Sequence, residues 1–276
     1  MSFWELLQQS FVQNLIVVGI FIALCTALIG VPLVLKRYSL VGMGLSNVAF
    51  VGLALSALVF GLSNDLIIVM PLTIVTSILL LGPISRKKVK GDASLAMLTV
   101  GALAVGFIII SIFSNRGNFD INSALFGAAN INLLRLADVW ISIAVTFVVV
   151  GVFVFLYNRL FAVTFDSSFM QATNSKPAIY EYIFAIVVGV VVAMSMQLVG
   201  SLLTAALIIF PALSAMRLFK SFKSVSIAAA IIGVASAILG IFFALLFPIP
   251  VGATIIAANI VVYIILFATG LVLKRL

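Results

Sequence analysis

The chain has 276 residues, of which 65% are hydrophobic and only 8% are charged. Soluble domains contain roughly 45–50% apolar and about 25% charged residues, so a soluble globular core cannot account for this composition. The net charge of +8 arises from short basic clusters between long apolar runs. That distribution argues against nucleic-acid binding and is typical of a protein that crosses a membrane several times.

Long apolar runs divide the chain into spans. A membrane-spanning helix needs about 20 mostly apolar residues, and the stretches between charged or turn clusters predict nine such helices. We therefore predict an all-α fold in which residues 1–276 form a single transmembrane domain. In chain order the predicted spans are 11–35, 39–61, 65–83, 93–114, 136–158, 178–197, 199–216, 225–247 and 251–273.

The basic residues predict the orientation of these spans. With the N-terminus outside, 13 of the 15 Lys and Arg residues fall in inner loops, and only Arg116 and Arg135 fall outside. The positive-inside rule thus predicts an outer N-terminus and an inner C-terminus, and it supports an odd number of spans. Residues 1–13 carry no Lys or Arg, so we predict no cleaved secretory signal.

Several reactive groups are missing from the sequence. The chain has no histidine, and its one cysteine, Cys25, lies in the first apolar run. This excludes a Cys/His zinc site and a Ser-His or Cys-His catalytic pair. No Asp, Glu, Lys, Arg or His falls in the middle of a predicted span, and no glycine precedes a lysine as in a phosphate-binding loop. We therefore expect no cofactor on this chain, and we predict a translocation subunit that a partner drives.

The polar residues within the predicted spans are neutral. Their simplest role is hydrogen bonding between helices, as is common in membrane proteins. They are chiefly Ser46, Asn47, Gln197, Thr204, Ser214 and Asn259.

Residues 159–177 form the longest predicted inner segment. Asp166 can cap a short helix that begins at Ser167. Phe165, Phe169 and Ala172 then lie near one face of it. A short helix with an aromatic face suits a groove on a soluble partner, but it could equally rest on the lipid surface. The residues alone do not separate these two interpretations.

Five stretches of the chain together resemble the permease subunit of metal-type ABC importers, which carry zinc, manganese or iron across bacterial membranes. The resemblance extends over nearly the whole chain and is most specific in the last two stretches. They are residues 34–42, 90–96, 125–127 with Asp138, 161–169, and 207–213 followed by the basic pair at 217 and 220.

The resemblance implies a subunit of the cytoplasmic membrane rather than an enzyme. It would pair with a second permease copy, identical or not, and with two ATPase subunits that bind the ATP. An extracytoplasmic metal-binding protein would deliver a divalent ion, zinc or manganese. Residues 163–175 would be the coupling helix, with Phe165, Asp166, Phe169 and Ala172 against the ATPase.

The second span departs from the family pattern Gly-Asp-(Ala/Gly)-Leu-Ser-His-(Ala/Val). Met43 stands in place of the Asp, and Asn47 in place of the His. Their four-residue spacing puts both on one helix face, so Met43, Ser46 and Asn47 are our candidates for the translocation path. Methionine is a soft ligand and asparagine a weak one, so we assign no metal ligand.

Three explanations of this departure stay open. The cargo is still a divalent metal that crosses without a strong internal site, or with one from a non-identical partner permease. Alternatively, the cargo has changed to a soft metal or a metal chelate, or the copy is degenerate or regulatory.

Two other classes of function are also open. A passive channel would pass metal without an ATPase, and a membrane scaffold would bind partners without transport.

Overall fold

The computed structural model describes residues 9–60, 66–82, 92–113, 136–165, 170, 177–247 and 249–273. Within these ranges the chain forms ten α-helices and no β-strand. We number them α1 (Ser10–Leu35), α2 (Ser39–Phe60), α3 (Leu66–Leu81), α4 (Asp92–Phe113), α5 (Leu136–Phe155), α6 (Tyr157–Phe165), α7 (Pro177–Val199), α8 (Ser201–Leu218), α9 (Phe222–Leu246) and α10 (Val251–Leu273).

The helices confirm the predicted all-α membrane architecture. Over the described ranges, seven helices are long and apolar enough to cross a membrane on their own. The bent pair α5 and α6 makes an eighth if it is one span, and residues 68–81 of α3 form a shorter apolar helix. Each predicted span thus coincides with a helix. The number nine and the orientation remain predictions.

The fifth predicted span differs from the structure. We predicted one helix over 136–158, but α5 ends at Phe155 and α6 turns away from it by 70°. Residues 159–165, predicted to be a loop, belong to α6. Its Leu160 and Val163 are buried, and the Leu160 N–H donates to the Leu156 carbonyl at 2.7 Å. The apolar face of α6 therefore packs against the bundle while the helical hydrogen bonds continue around the bend.

Helix α8 lies at the centre of the bundle, where it packs against α1, α2, α9 and α10. Small residues permit these close crossings. Gly30 of α1 lies against the main chain of Ile208, and Gly233 of α9 lies against Ala27 and Pro211. Close backbone approach of this kind drives helix association in lipid, where no hydrophobic effect acts between helices.

A second group of helices packs on the other side of α2. Helix α2 contacts α3 and α4, and α3 in turn contacts α7. Gly106 of α4 lies beneath the ring of Phe50, and Gly189 of α7 lies against the main chain of Ile74. Phe50 itself is fully buried. Helix α2 therefore connects the two groups.

Helices α7 and α8 are separated by a single residue, as the sequence predicted. Gly200 has φ 93°, a left-handed backbone conformation that only glycine adopts without strain. Its N–H donates to the Met196 carbonyl at 2.9 Å, and its carbonyl accepts from the Thr204 N–H at 3.1 Å. The chain changes direction here while its backbone groups stay paired.

One end of the bundle gathers the ends of several helices. Leu35, Gly82 and Glu181 line one cavity there together with the last residues of α6. Phe222 at the start of α9 contacts α6. We call this end the basic end, since the described Lys and Arg residues of the helix termini lie there: Lys36, Arg37, Arg159, Arg217, Lys220 and Lys223.

The packing of Gly30 yields a prediction about stability. A Cβ at Gly30 would collide with the Ile208 carbonyl, so Gly30→Ala should destabilise the protein by about 1–3 kcal/mol through overpacking. The matched control is Gly101→Ala, because no atom lies within 4 Å of a Cβ at that position. The thermal unfolding midpoint in detergent should fall only for Gly30→Ala. Equal midpoints for the two variants would contradict the close contact between α1 and α8.

Candidate translocation and coupling sites

The candidate path residues lie in the first half of α2, between α4 and α8. A Cβ at Gly42 would contact Ile208 of α8, and one at Gly44 would contact Leu98 and Thr99 of α4. Ser46 is fully buried, Asn47 is 4% exposed, and Met43 is partly buried. Ser46 and Asn47 are therefore packed among helices, whereas Met43 is partly accessible.

Asn47 joins two helices through its side chain. Its Nδ2 donates to the Thr99 main-chain carbonyl of α4 at 2.9 Å. Ser46 bonds within its own helix, where its Oγ donates to the Met43 carbonyl at 2.9 Å. Because an amide N–H is a donor, the group directed at α4 does not attract a cation. The hydrogen bond predicted between helices is thus present at Asn47 and absent at Ser46.

Other neutral polar residues also differ from that prediction. The Thr204 Oγ1 donates to the Gly200 carbonyl at 2.8 Å, and the Asn259 Nδ2 donates to the Ile255 carbonyl at 3.0 Å. The Ser214 Oγ and the Asn259 Oδ1 are buried without a partner in the described part of the protein. Short hydroxyl side chains reach the carbonyl one turn earlier in their own helix, so they do not need a neighbouring helix.

Metal-ligating groups are sparse. Over the ranges that the structure describes, no three His, Cys, Asp or Glu residues lie together in a way that could hold a metal ion. The candidates on α2 supply only a thioether, a hydroxyl and a carboxamide. These donors carry no charge to offset the desolvation of a divalent cation.

Of the predicted coupling residues, the structure describes only Phe165. It is the last residue of α6 and is 58% exposed. Asp166, Phe169 and Ala172 lie outside the described residues, as does the predicted helix start at Ser167. Their common face and their contact with an ATPase stay predictions.

Five aromatic residues form a cluster along one side of α6, which we name the ring cluster: Phe153, Tyr157, Phe161, Phe165 and Phe222. The first four are spaced four residues apart along α5 and α6, so their rings follow one side of the bend. The centroid of the Phe222 ring lies 5.4 Å from that of Tyr157, 5.5 Å from that of Phe161, and 6.3 Å from those of Phe153 and Phe165.

Sequence reasoning missed Phe222. The four-residue spacing of aromatic residues from 153 to 165 was the available signal, because it predicts one continuous aromatic face. The sequence did not indicate which element covers that face.

A cavity of about 460 Å³ adjoins the ring cluster at the basic end. Its polar lining consists mainly of Lys36, Arg37, Thr164 and Glu181. Glu181 is only 3% exposed, and it is the one buried charged side chain among the residues described. It brings a carboxylate among the basic groups beside α6.

Comparison with known proteins identifies the family of this architecture. Residues 8–270 match the model of the ABC 3 transport family. The chain belongs to the ABC 3 transport family. It is therefore a transport component rather than an enzyme, and a multi-pass protein of the cell membrane. The resemblance stated from the sequence is confirmed.

Individual relatives extend over nearly the full chain. It is 28% identical over 257 residues to the manganese import system permease protein ScaB of Streptococcus gordonii, with 93% of this chain and 90% of the relative covered. It is 27% identical over 255 residues to the manganese transport system membrane protein MntC of Halalkalibacterium halodurans, covering 92% and 85% of the two chains.

A solved structure shows the same fold. PsaBC from Streptococcus pneumoniae, in complex with Fab, has a TM-score of 0.82 at 24% identity, and the match covers 96% of this chain and 94% of that one. The match supports the arrangement of the ten helices described above.

The bond between Asn47 and Thr99 yields a second prediction. Asn47→Leu should lower the free energy of unfolding by roughly 0.6–2 kcal/mol, because it removes a hydrogen bond between helices. Ser46→Ala is the matched control, since it removes a bond within α2 alone, and it should have a smaller effect. Equilibrium unfolding in mixed micelles with increasing SDS measures both. A larger loss for Ser46→Ala would contradict the bridging role of Asn47.

Proposed function

We propose that the chain is the permease subunit of an ATP-driven importer of divalent metal ions, with manganese as the cargo. The observation that carries this proposal is the near full-length match to permeases named for manganese import. The passive channel and the membrane scaffold remain as outcomes of the tests below.

The proposed path has neutral walls. Asn47 and Ser46 are engaged with main-chain carbonyls, so α2 offers no charged group for a resident Mn²⁺. Manganese prefers oxygen donors. A soft cargo would be favoured by thioether ligands, but α2 supplies only one partly buried methionine, Met43. We infer that the ion crosses partly hydrated, or with ligands from a non-identical second permease copy.

The energy would come from a partner. An ATPase would bind ATP and push on the coupling segment 159–177, to which α6 contributes its helical first part. Phe165 lies at the end of α6, where such a partner can reach it. The chain itself would bind no cofactor, and an extracytoplasmic metal-binding protein would load the path from the opposite side.

Reconstitution tests this proposal. We expect Mn²⁺ uptake into proteoliposomes only when the chain is combined with its ATPase, its binding protein and ATP. Asp166→Lys with Phe169→Ala should abolish recovery of the ATPase with the permease. Phe247→Ala is the control, because this exposed aromatic residue follows α9 at the end away from α6.

Each outcome distinguishes a class of function. Uptake by the isolated chain without nucleotide would favour a passive channel. Partner binding without metal-dependent ATP hydrolysis would favour a scaffold. Undiminished recovery of the ATPase with the double variant would contradict the coupling role of these residues.

The family pattern provides a test of the path itself. The double variant Met43→Asp with Asn47→His places a carboxylate and an imidazole four residues apart on α2, and these donors suit a divalent ion. We expect isothermal titration to show Mn²⁺ binding at least about tenfold tighter than in the unmodified chain, which corresponds to about 1.4 kcal/mol. Either single substitution should gain much less. No gain in the double variant would mean that α2 does not line the path.

A further inference from the structure

The ring cluster raises the question of what Phe222 does. The five rings join the proposed coupling element to α9, a helix distant in sequence from it. Phe222 is the only member from α9, yet its ring lies within 6.3 Å, centroid to centroid, of the four other rings. It is 6% exposed and thus largely enclosed by them and their neighbours.

We propose that Phe222 is the residue through which movement of α6 reaches the transmembrane helices α8 and α9. This role rests on the proposed function of α6 as the first part of the coupling segment. Phe222 would act as a positioning residue: it touches neither cargo nor nucleotide, and it conveys displacement between two elements.

The first argument is that side chains, not backbones, connect the two elements. In the described parts of α5, α6 and α9, the backbone of α9 hardly approaches the other two. The rings make the contact. Phe153 stacks on Phe222 with 19° between the ring planes, while Phe161 and Phe165 meet it edge to face at 62° and 82°. Rings packed from several directions resist displacement along each of them.

The second argument is that Phe222 is firmly attached to α9. It is the first residue of that helix, and Ser221 caps the helix by accepting from the Ser224 N–H at 3.2 Å. The Phe222 carbonyl accepts from the Ser226 Oγ at 2.8 Å. Side chains in a helix point back toward its N-terminus, so the Phe222 ring projects from the end of α9 toward α6.

The third argument concerns what α9 moves. Only residues 219–221 separate α9 from α8, so the start of α9 and the end of α8 shift together. Farther along, Gly233 of α9 lies against Pro211 of α8 and Ala27 of α1. Helix α8 also packs beside α2, where the candidate path residues lie. A push on Phe222 is therefore delivered to the helix at the centre of the bundle.

A competing route exists. Helix α6 also packs against α1 and α7, and movement could enter the bundle there without the ring of Phe222. The two routes differ in one respect: only the proposed one needs an aromatic side chain at position 222. This difference sets the design of the experiment.

The experiment uses the full transporter in proteoliposomes, with the ATPase, the binding protein and Mn²⁺ as the probe. The variants are Phe222→Leu, Phe222→Ala and the conservative Phe222→Tyr. The readout is the number of Mn²⁺ ions imported per ATP hydrolysed, measured beside basal hydrolysis and ATPase recovery. Phe243→Ala is the matched control, because Phe243 is an exposed aromatic residue of the same helix and is 54% exposed.

We expect Phe222→Leu and Phe222→Ala to lower the import per ATP at least about fivefold, a typical coupling effect. ATPase recovery and basal hydrolysis should stay near those of the unmodified transporter. Phe222→Tyr should retain most of the import per ATP, and Phe243→Ala should leave that ratio unchanged. A role confined to stability would instead lower recovery and scale both activities alike.

Three results would overturn the proposal: an unchanged ratio in both the leucine and the alanine variants, an equal loss in Phe243→Ala, or failure of both variants to assemble with the ATPase. The last would show that Phe222 maintains the fold rather than conveying movement. Failure of the proposed function is separate, since the unmodified chain would then show no Mn²⁺ import that depends on ATP.

Discussion

The bilayer interior supplies no water, so every main-chain N–H and carbonyl at that depth must find a partner within the protein. Helical hydrogen bonding continues also at two span ends where the chain changes direction. At Leu156 the Leu160 N–H still donates around a 70° bend, and at Gly200 the neighbouring turns stay bonded on both sides. Most buried hydroxyls bond to their own helix for the same reason. At these two positions the irregular geometry therefore leaves the helical hydrogen bonds intact.

The sequence was sufficient to locate most of the helices. It was insufficient to identify which residues contact one another between helices. Apolar runs fix where helices lie, because each run must be long enough to cross the lipid. The bend at Leu156 was missed because the apolar run of α5 continues through Leu156 to Tyr157, so the sequence shows no break before Asn158. Phe222 and Thr99 were missed as partners because they lie far along the chain from Phe161 and Asn47. Apart from Met170, the predicted helix after Asp166 lies outside the described residues and stays a prediction.

In the proposed importer, the distribution of charged residues indicates which part conducts the ion and which part drives transport. The charged side chains of the described helices lie at helix ends, and the buried centre contains neutral groups that are bonded mostly to main-chain carbonyls. Neutral side chains of this kind would bind an ion only weakly, so an ion that enters the path would not be retained there. In the proposed importer, directional transport would depend on conformational change imposed from the basic end, where the ring cluster and Glu181 lie beside α6.

The bond between Asn47 and Thr99 has a consequence for turnover. If transport separates α2 from α4, the amide must exchange acceptors in each cycle. The carbonyl one turn earlier, that of Met43, already accepts from Ser46. Within its own helix Asn47 would thus have to share an occupied acceptor, which raises the activation barrier of the opening step. In the proposed importer, the hydrogen bond from Asn47 to Thr99 would therefore favour the arrangement in which α2 and α4 stay together.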